Sequence, residues 1–274
     1  MDFTPIRSIN LLGICLDVLD IPSLNELVRY SIENRKKWII ANHNLHSVYL
    51  YHYAPGMADF YKAAKYVHAD GMSLIFIAKI LGFSLTRKNR IAYIDWLYPL
   101  LELASNNSWK IFYLGSIPAV ANRAEKILQK RFPGLMIKTH HGYFNPDPNS
   151  EENLKVAGMI NEFNPDILMV GMGMPRQEKW ILNNLEAISF HVILNAGACM
   201  DYFAHEVPMT PRWLGDFGLE WLYRLVLNPI KYWKRYLIEP WFLLRYFFSD
   251  LHNQLIKRLT NKLTHEETSN SDLD

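Results

Sequence analysis

The sequence predicts a doubly wound α/β fold with a mostly parallel, Rossmann-like sheet and a C-terminal helical appendage. Short apolar runs end in polar or glycine-containing tips, and each is followed by a segment with helical spacing. The runs do not alternate with polar residues, as expected for parallel strands covered on both faces. Near Pro208 the composition changes to helix formers, aromatic residues and Lys/Arg. We therefore expect a Rossmann-like α/β domain at 1–207, an appendage at 208–263 and a flexible, polar tail at 264–274.

The elements follow one another in strand and helix pairs. The first helix is predicted at "PSLNELVRYSIENRKK", because Pro-Ser starts a segment of helical periodicity. The strand "WIIANHN" comes next and leads into a helix from Leu45 towards Tyr53. The same unit recurs as "WKIFYLGS" with "IPAVANRAEKILQKRF", "LMIKTHHGYF" with "SEENLKVAGMINEF", and "DILMVGMG" with "PRQEKWILNNLEAI". A last strand is predicted in "FHVILNAGACMDYF".

Size and composition exclude several classes of protein. A chain of 274 residues, 50% hydrophobic and 20% charged, can form one large domain with an ample core. A net charge of +2 argues against a nucleic-acid partner. Cys15 and Cys199 lie in apolar surroundings, which predicts buried, reduced thiols. The N-terminal segment contains acidic residues, unlike a secretory signal, and no apolar run is long enough to span a bilayer, so we expect a cytoplasmic protein.

Three predicted strand tips carry small or polar residues: Gly115-Ser116, 171–177 and 195–197. Ligands of doubly wound sheets bind outside these tips, where glycine allows close approach to the backbone. Ordinary turn geometry explains any one of the tips equally well, but three together favour a nucleotide-type ligand. The GxGxxG and P-loop patterns are absent, which disfavours an NAD-dependent oxidoreductase or an NTPase and favours a nucleotide-sugar.

Two further groups of polar residues are candidates for chemistry. In "YVHADGMSLIF", Asp70 follows His68 and precedes a glycine, so it is either a general base or a turn residue that caps the next helix. "NHNLH" contains two histidines three residues apart, His43 and His46. They could bind a metal, but sugar hydrogen bonding or helix capping is favoured, because no carboxylate or cysteine stands nearby.

Taken in order, several motifs resemble the WecG/TagA/CpsF family of bacterial glycosyltransferases, called glycosyltransferase family 26. They are "ADGMSL", "NRIAYID", "HHGYF", "VGMGMPRQEKWI", "NAGACMDYFA", "TPRW" and "GLEWLYRLVLNPIKYWKR". The resemblance runs from about Ile39 to Tyr236. It implies a cytoplasmic enzyme, peripheral on the inner face of the plasma membrane, that transfers a sugar with inversion from a UDP-sugar to an undecaprenyl-diphosphate-linked saccharide in cell-surface polysaccharide synthesis.

Family members use N-acetylmannosamine, its uronic acid or glucose as the donor sugar, so the resemblance leaves the sugar open. It implies no cofactor and no bound metal, and the sequence has no DxD triplet. A homo-oligomer, as a dimer or trimer, is compatible with the resemblance. The alternative function is a non-catalytic nucleotide-sugar-binding protein that keeps the fold without turnover.

The resemblance also implies roles for individual residues. Asp70 matches the proposed catalytic base. The predicted substrate-binding residues are Asn42, Asn44, Gly115, Gly171, Gly173, Gln177, Glu178, Arg224, Lys231, Lys234 and Arg235. The last four are expected to neutralise the UDP diphosphate, whose negative charge grows as it leaves.

Four positions depart from the family pattern. Asn42 stands where many members have threonine, Met209 where many have arginine, and Lys231 and Lys234 where we would expect arginine. The first two could alter the choice of donor, and the lysines supply charge without the bidentate fork of arginine.

The aromatic residues of the appendage predict contact with an anionic membrane surface. They are interleaved with cations in the segment "KYWKRYLIEPWFLLRYFF". A basic amphipathic surface of this kind binds anionic lipid. The alternative is an aromatic helix packed against the main domain or another subunit.

Overall fold

The computed structural model describes residues 6–204, 206 and 210–271. Its main sheet has six strands: β3 (Trp38–His43), β4 (Tyr66–Ala69), β5 (Lys110–Gly115), β6 (Met136–His140), β7 (Ile167–Gly171) and β8 (Val192–Asn195). Their order across the sheet is β4-β3-β8-β7-β5-β6, and all neighbouring strands are parallel. The predicted α/β fold with a parallel sheet is therefore confirmed.

Helices separate these strands along the chain and cover both faces of the sheet. They are α1 (Ile21–Glu33), α2 (Leu45–Tyr53), α3 (Met57–Ala63), α4 (Met72–Ile80), α5 (Tyr93–Asn106), α6 (Pro118–Arg131), α7 (Glu151–Phe163), α8 (Arg176–Asn184) and α9 (Cys199–Phe203). Strand β7 shows the resulting two-sided burial. Its Ile167 and Met169 belong to one hydrophobic cluster, whereas Leu168 and Val170 belong to the other. This explains why the strand is a continuous apolar run.

A small antiparallel hairpin precedes the sheet and was not predicted from the sequence. It consists of β1 (Ser8–Leu11) and β2 (Ile14–Asp17). The turn residues Leu12 and Gly13 both have positive φ, +52° and +74°. Two positive φ angles in a two-residue turn are typical of a tight hairpin. Cys15 on this hairpin is exposed, so the expectation of two buried thiols is wrong for Cys15 and confirmed for Cys199.

The appendage is helical, as predicted. It contains α10 (Arg212–Asp216), α11 (Glu220–Leu227), α12 (Pro229–Trp233), one π-helical turn (Lys234–Ile238) and α13 (Glu239–Ser271). Pro208 and Met209 lie outside the described residues. The boundaries at 207/208 and 263/264 stay predictions. Among the helices of the described part of the chain, none combines the length and the apolar character needed to cross a membrane.

Helix α13 packs against the N-terminal part of the chain. Leu243 is buried in the same hydrophobic cluster as the hairpin. The ring of Tyr246 stacks on that of His52 in α2, with centroids 3.8 Å apart. The Leu12 N–H donates to the Asp250 carboxylate over 2.6 Å. The alternative to membrane contact was packing of the appendage on the main domain. This face of α13 does pack on the main domain.

Candidate active site

Asp70 and Asn44 meet at the carboxyl ends of β4 and β3. The Asp70 N–H donates to the His43 carbonyl over 2.8 Å, which continues the pairing of the two strands. The Asn44 side-chain amide donates to Asp70 Oδ2 over 3.4 Å. Gly71, not Asp70, is the N-cap of α4, so the capping alternative for Asp70 is wrong. The Asp70 carboxylate is thus partly exposed at the edge of the sheet where ligands of this fold class bind.

Asn44 has two tasks in this arrangement. It is the N-cap of α2, and its Oδ1 accepts from the Ser47 N–H over 3.1 Å while the Ser47 hydroxyl accepts from the Asn44 N–H. This reciprocal cap fixes the side chain beside Asp70. The same Oδ1 accepts from Arg235 Nη2 over 3.4 Å. Asn44 therefore connects Asp70 with a cation of the appendage.

Arg224 and Arg235 bring positive charge to Asp70. Burial opposes the charge of Arg224, but the nearby Tyr202, Tyr236 and Asp70 more than offset it, together with Glu220, so the pKa of its guanidinium is raised above the ordinary value. The Nε atoms of Arg224 and Arg235 are both buried and have no hydrogen-bond partner among the described residues. Buried donors normally find an acceptor. These two donors are available to an anion.

The two lysines predicted to accompany them are more exposed. Lys231 Nζ lies 5.3 Å from the ring centroid of Tyr232, and Lys234 Nζ lies 5.5 Å from that of Trp233. Lysine is a flexible point charge, so exposed lysines can still add positive potential to the site without holding a fixed geometry. Their predicted contact with a diphosphate stays a prediction.

Asn42, Gln177 and Glu178 form a buried network with Asn195, which follows β8's apolar residues. Asn42 Nδ2 donates to the Asn195 side chain and carbonyl, over 3.1 and 3.0 Å. Glu178 Oε1 accepts from Asn195 over 3.2 Å and from Gln177 over 2.8 Å. Gln177 Oε1 in turn accepts from the Gly173 N–H over 3.2 Å. These side chains thus connect strands β3 and β8 with α8 and with the loop after β7.

The network leaves little of these residues accessible. Gln177 and Glu178 are 0% exposed and Asn42 is 2% exposed. Burial raises the pKa of Glu178, although the bonds from Gln177 and Asn195 act in the opposite direction. Glu178 Oε2 has no partner among the described residues. The structure thus gives the three side chains a structural task, and their predicted contact with substrate stays a prediction.

The predicted glycines divide into two kinds. A Cβ added at Gly115 would lie 2.4 Å from the Gly171 carbonyl oxygen, and one added at Gly171 would lie 2.3 Å from that of Gly197. At these two positions glycine is required because neighbouring strand tips approach each other. Gly173 and Gly197 have positive φ, and a Cβ at either would meet no heavy atom within 4 Å. Only this second kind borders open space that a ligand could occupy.

A cluster around Asp201 was missed in the sequence. The Ser116 hydroxyl bonds to the Asp201 carboxylate and lies 2.9 Å from the Tyr113 hydroxyl. Burial raises the pKa of Asp201, against the bond from Ser116 and the nearby charge of Lys231. The available signal was one acidic residue in the otherwise apolar "NAGACMDYF". The cluster joins the tip of β5 to α9, and the charge of Lys231 in the appendage lies nearby.

The histidines have separate environments, which does not support the metal-binding alternative for His43 and His46. His43 is buried, and its Nδ1 lies 2.9 Å from the Ser47 hydroxyl. His46 Nδ1 lies 2.6 Å from Glu239 Oε2. His68 is buried without a hydrogen-bond partner among the described residues, and burial lowers its pKa to about 4, so its ring is neutral at pH 7.

The sequence is similar to a family of known proteins. Residues 9–256 match the sequence model of the family described as Glycosyl transferase WecG/TagA/CpsF family. Similar proteins include the N-acetylglucosaminyldiphosphoundecaprenol N-acetyl-beta-D-mannosaminyltransferases of three Staphylococcus aureus strains, MRSA252, NCTC 8325 / PS 47 and COL. Each is 27% identical over 230 residues, which cover 80% of this chain and 86% of the relative.

Proposed function

The chain belongs to the WecG/TagA/CpsF family of glycosyl transferases, and from that premise we propose that it moves a sugar from a UDP-sugar to an undecaprenyl-diphosphate-linked saccharide, with inversion at the anomeric carbon. N-acetylmannosamine is the first donor sugar to test, and N-acetylglucosamine the first acceptor sugar, because both occur in the names of the Staphylococcus aureus relatives. The product would serve the synthesis of a bacterial cell-surface polysaccharide.

One observation carries the proposal: a partly exposed carboxylate and two guanidinium groups with buried Nε atoms lie together where the sheet meets the appendage. In the proposed reaction, Asp70 accepts the proton of the acceptor hydroxyl, whose oxygen attacks the anomeric carbon of the donor. The bond between that carbon and the UDP oxygen breaks, and UDP leaves with the bonding electrons. Asp70 has the partly exposed carboxylate that such a general base needs.

The cations of the appendage would stabilise the departing UDP. Negative charge on the diphosphate grows in the transition state, and donors fixed beside it stabilise that state more than the ground state. Arg224 and Arg235 each hold, in the region of Asp70, a buried Nε–H for which the described part of the chain offers no acceptor. Lys231 and Lys234 would add a less directional positive potential. The protein's own cations would thus neutralise the leaving group.

The decisive experiment measures acceptor-dependent UDP release from a panel of UDP-sugars with a short-chain polyprenyl-diphosphate-GlcNAc acceptor. We expect release with one donor, and we expect Asp70→Asn to lower turnover by about 10²- to 10⁴-fold, as for loss of a general base. UDP binding should persist in this variant. Asp59→Asn is the matched control, because Asp59 is exposed and pairs only with Lys62 at 3.2 Å in the described contacts.

Unchanged turnover in Asp70→Asn would refute the role of this carboxylate. Binding of UDP without release from any donor and acceptor tested would favour the alternative, a non-catalytic nucleotide-sugar-binding protein.

We further propose that the enzyme lies on the inner face of the plasma membrane through its appendage. Large apolar side chains of this region are exposed, among them Ile230 at 89% and Trp241 at 70%. Exposed lysines, Lys231 and Lys234, lie on the same segment. Apolar side chains with interleaved cations bind anionic leaflets. Such contact would bring Asp70 to an acceptor that is held in the membrane by its lipid.

Vesicle co-sedimentation tests this placement. Replacing Trp241 and Phe248 together by serine should weaken binding to vesicles containing phosphatidylglycerol by at least about tenfold, since two large apolar side chains would no longer enter the lipid. Leu154→Ser is the control, because Leu154 is 60% exposed but lies on α7. Equal binding by the double variant and the unchanged chain would refute the proposal.

A further inference from the structure

The first turn of α2 makes two contacts with one turn of the appendage. Arg235 Nη2 donates to Asn44 Oδ1 over 3.4 Å, and His46 Nδ1 lies 2.6 Å from Glu239 Oε2. The two appendage residues are the second residue of the π-helical turn and the residue directly after that turn. The Glu239 N–H donates to the Lys234 carbonyl and closes the turn. Both contacts therefore fix the same piece of backbone against α2.

The contact between His46 and Glu239 has the properties of a strong hydrogen bond. A carboxylate can only accept, so the imidazole Nδ1 must carry the hydrogen. The side chains are 18% and 14% exposed, respectively, so water competes weakly with the bond. Hydrogen bonds to a charged group are shorter and stronger than neutral ones. The Arg235 contact, in comparison, is long and leaves its Nε without a partner among the described residues.

We propose that His46 is a positioning residue for Arg235: by holding Glu239, it fixes the π-helical turn so that the Arg235 guanidinium lies beside Asn44 and Asp70 and faces the donor diphosphate. This inference rests on the proposed function, which places a UDP-sugar at that position. His46 itself does not touch the donor. Its effect on donor binding passes through Glu239 and the turn that carries Arg235.

Other contacts hold the same helix at positions further from Arg235. Tyr246 stacks on His52, and Asp250 accepts from the Leu12 N–H, both further along α13. If His46 served only to attach the appendage, its loss would resemble loss of these contacts. Tyr246→Leu is thus the matched control for attachment alone.

The experiment is a double-mutant cycle on UDP affinity, measured by isothermal titration calorimetry on the full chain. We expect His46→Ala to weaken UDP binding about fivefold, a coupling of the size found between contacting residues. In the Arg235→Ala background, the same change should have less than about a twofold effect, since the residue that it positions is absent. Tyr246→Leu should leave the affinity unchanged.

A rescue variant separates the hydrogen bond from side-chain volume. The amide nitrogen of asparagine occupies nearly the position of imidazole Nδ1, so His46→Asn should restore most of the affinity lost in His46→Ala. Glu239→Gln removes the charge of the acceptor and should weaken UDP binding in the same direction as His46→Ala.

The outcomes also separate this inference from the proposed function. If Arg235→Ala weakens UDP binding but His46→Ala does not, or if the two effects simply add, the positioning role is refuted and the proposed function stands. The role is likewise refuted if His46→Asn binds UDP as poorly as His46→Ala. If the unchanged chain binds no UDP, the proposed function and this inference both fail.

Discussion

The two halves of the sheet edge differ in what their polar residues contact. At the tips of β5 and β7, Gly115 and Gly171 pack against neighbouring backbone, and beside them Gln177, Glu178 and Asn195 bond to one another and to Asn42 of β3. We call this half the packed edge. At the tips of β3 and β4, Asp70 and Asn44 are partly exposed and reach the appendage. We call this half the open edge.

The difference shows that similar motifs can have different tasks. "GMGMPRQE" and "ADG" both follow a strand and contain glycine beside charged residues. In the packed edge Glu178 is buried, and its carboxylate bonds to Gln177 and Asn195. In the open edge the Asp70 carboxylate is partly exposed and accepts a bond from Asn44, and a cation of the appendage, Arg224, lies nearby. Two experiments test whether residues of the packed edge serve the stability of the fold.

The largest effect is expected for Gly171→Ala. The new Cβ would lie 2.3 Å from the Gly197 carbonyl oxygen and 2.4 Å from the Tyr113 hydroxyl. Overpacking against backbone should lower the free energy of unfolding by about 3 kcal/mol, measured by urea denaturation. Gly158→Ala is the control, because Gly158 lies in α7 with no heavy atom within 4 Å of an added Cβ. It should be stabilising by about 0.5–1 kcal/mol.

If Gly171→Ala leaves the free energy of unfolding unchanged but abolishes UDP binding, the glycine serves the ligand and not the packing. The packed edge would then be a binding surface.

A smaller effect is expected for Glu178→Gln. Burial raises the pKa of Glu178 above its ordinary value of 4.5, so the folded state holds a proton that the unfolded state has already released. The free energy of unfolding should therefore fall as the pH rises above 4.5 and level off above the folded-state pKa. Glutamine removes this fall and should raise the free energy of unfolding at pH 7.

Thermal unfolding between pH 4 and 8 measures this difference. Glu26→Gln is the control, since Glu26 is exposed and pairs with Arg29 at 3.5 Å. Parallel pH profiles for Glu178→Gln and the unchanged chain would mean that folding does not raise the pKa of Glu178.

The sequence predicted much of the fold and part of the site. Strands β3, β5, β7 and β8 were found because each is a mainly apolar run that leads into a helix, whereas β6 was found although it ends in Lys-Thr-His. The β1–β2 hairpin was missed because its turn is Leu-Gly, without the usual Asn-Gly or Asp-Gly signal. Strand β4 was missed as a strand because it has only four residues and includes a histidine.

The packed edge was the hardest part to predict. Asn42 bonds to Asn195, which lies 153 positions away in the chain, so no local pattern shows that the side chain is occupied. Likewise, Arg235 is 191 positions from Asn44. Motif resemblance correctly identified the family, but it could not distinguish residues that border open space from residues that bond to each other.

The π-helical turn between α12 and α13 makes the site sensitive to the number of residues in the chain. A π turn contains one residue more than an α turn. Deleting one residue from 236–238 would restore an ordinary α turn, which covers nearly the same rotation with one residue fewer, so the helices on either side would keep nearly the same orientation. Arg235 and Glu239, whose side chains contact Asn44 and His46, would then stand three residues apart instead of four. Amino-acid replacements in this turn change one contact at a time, whereas a single-codon deletion would alter the spacing of both contacts together.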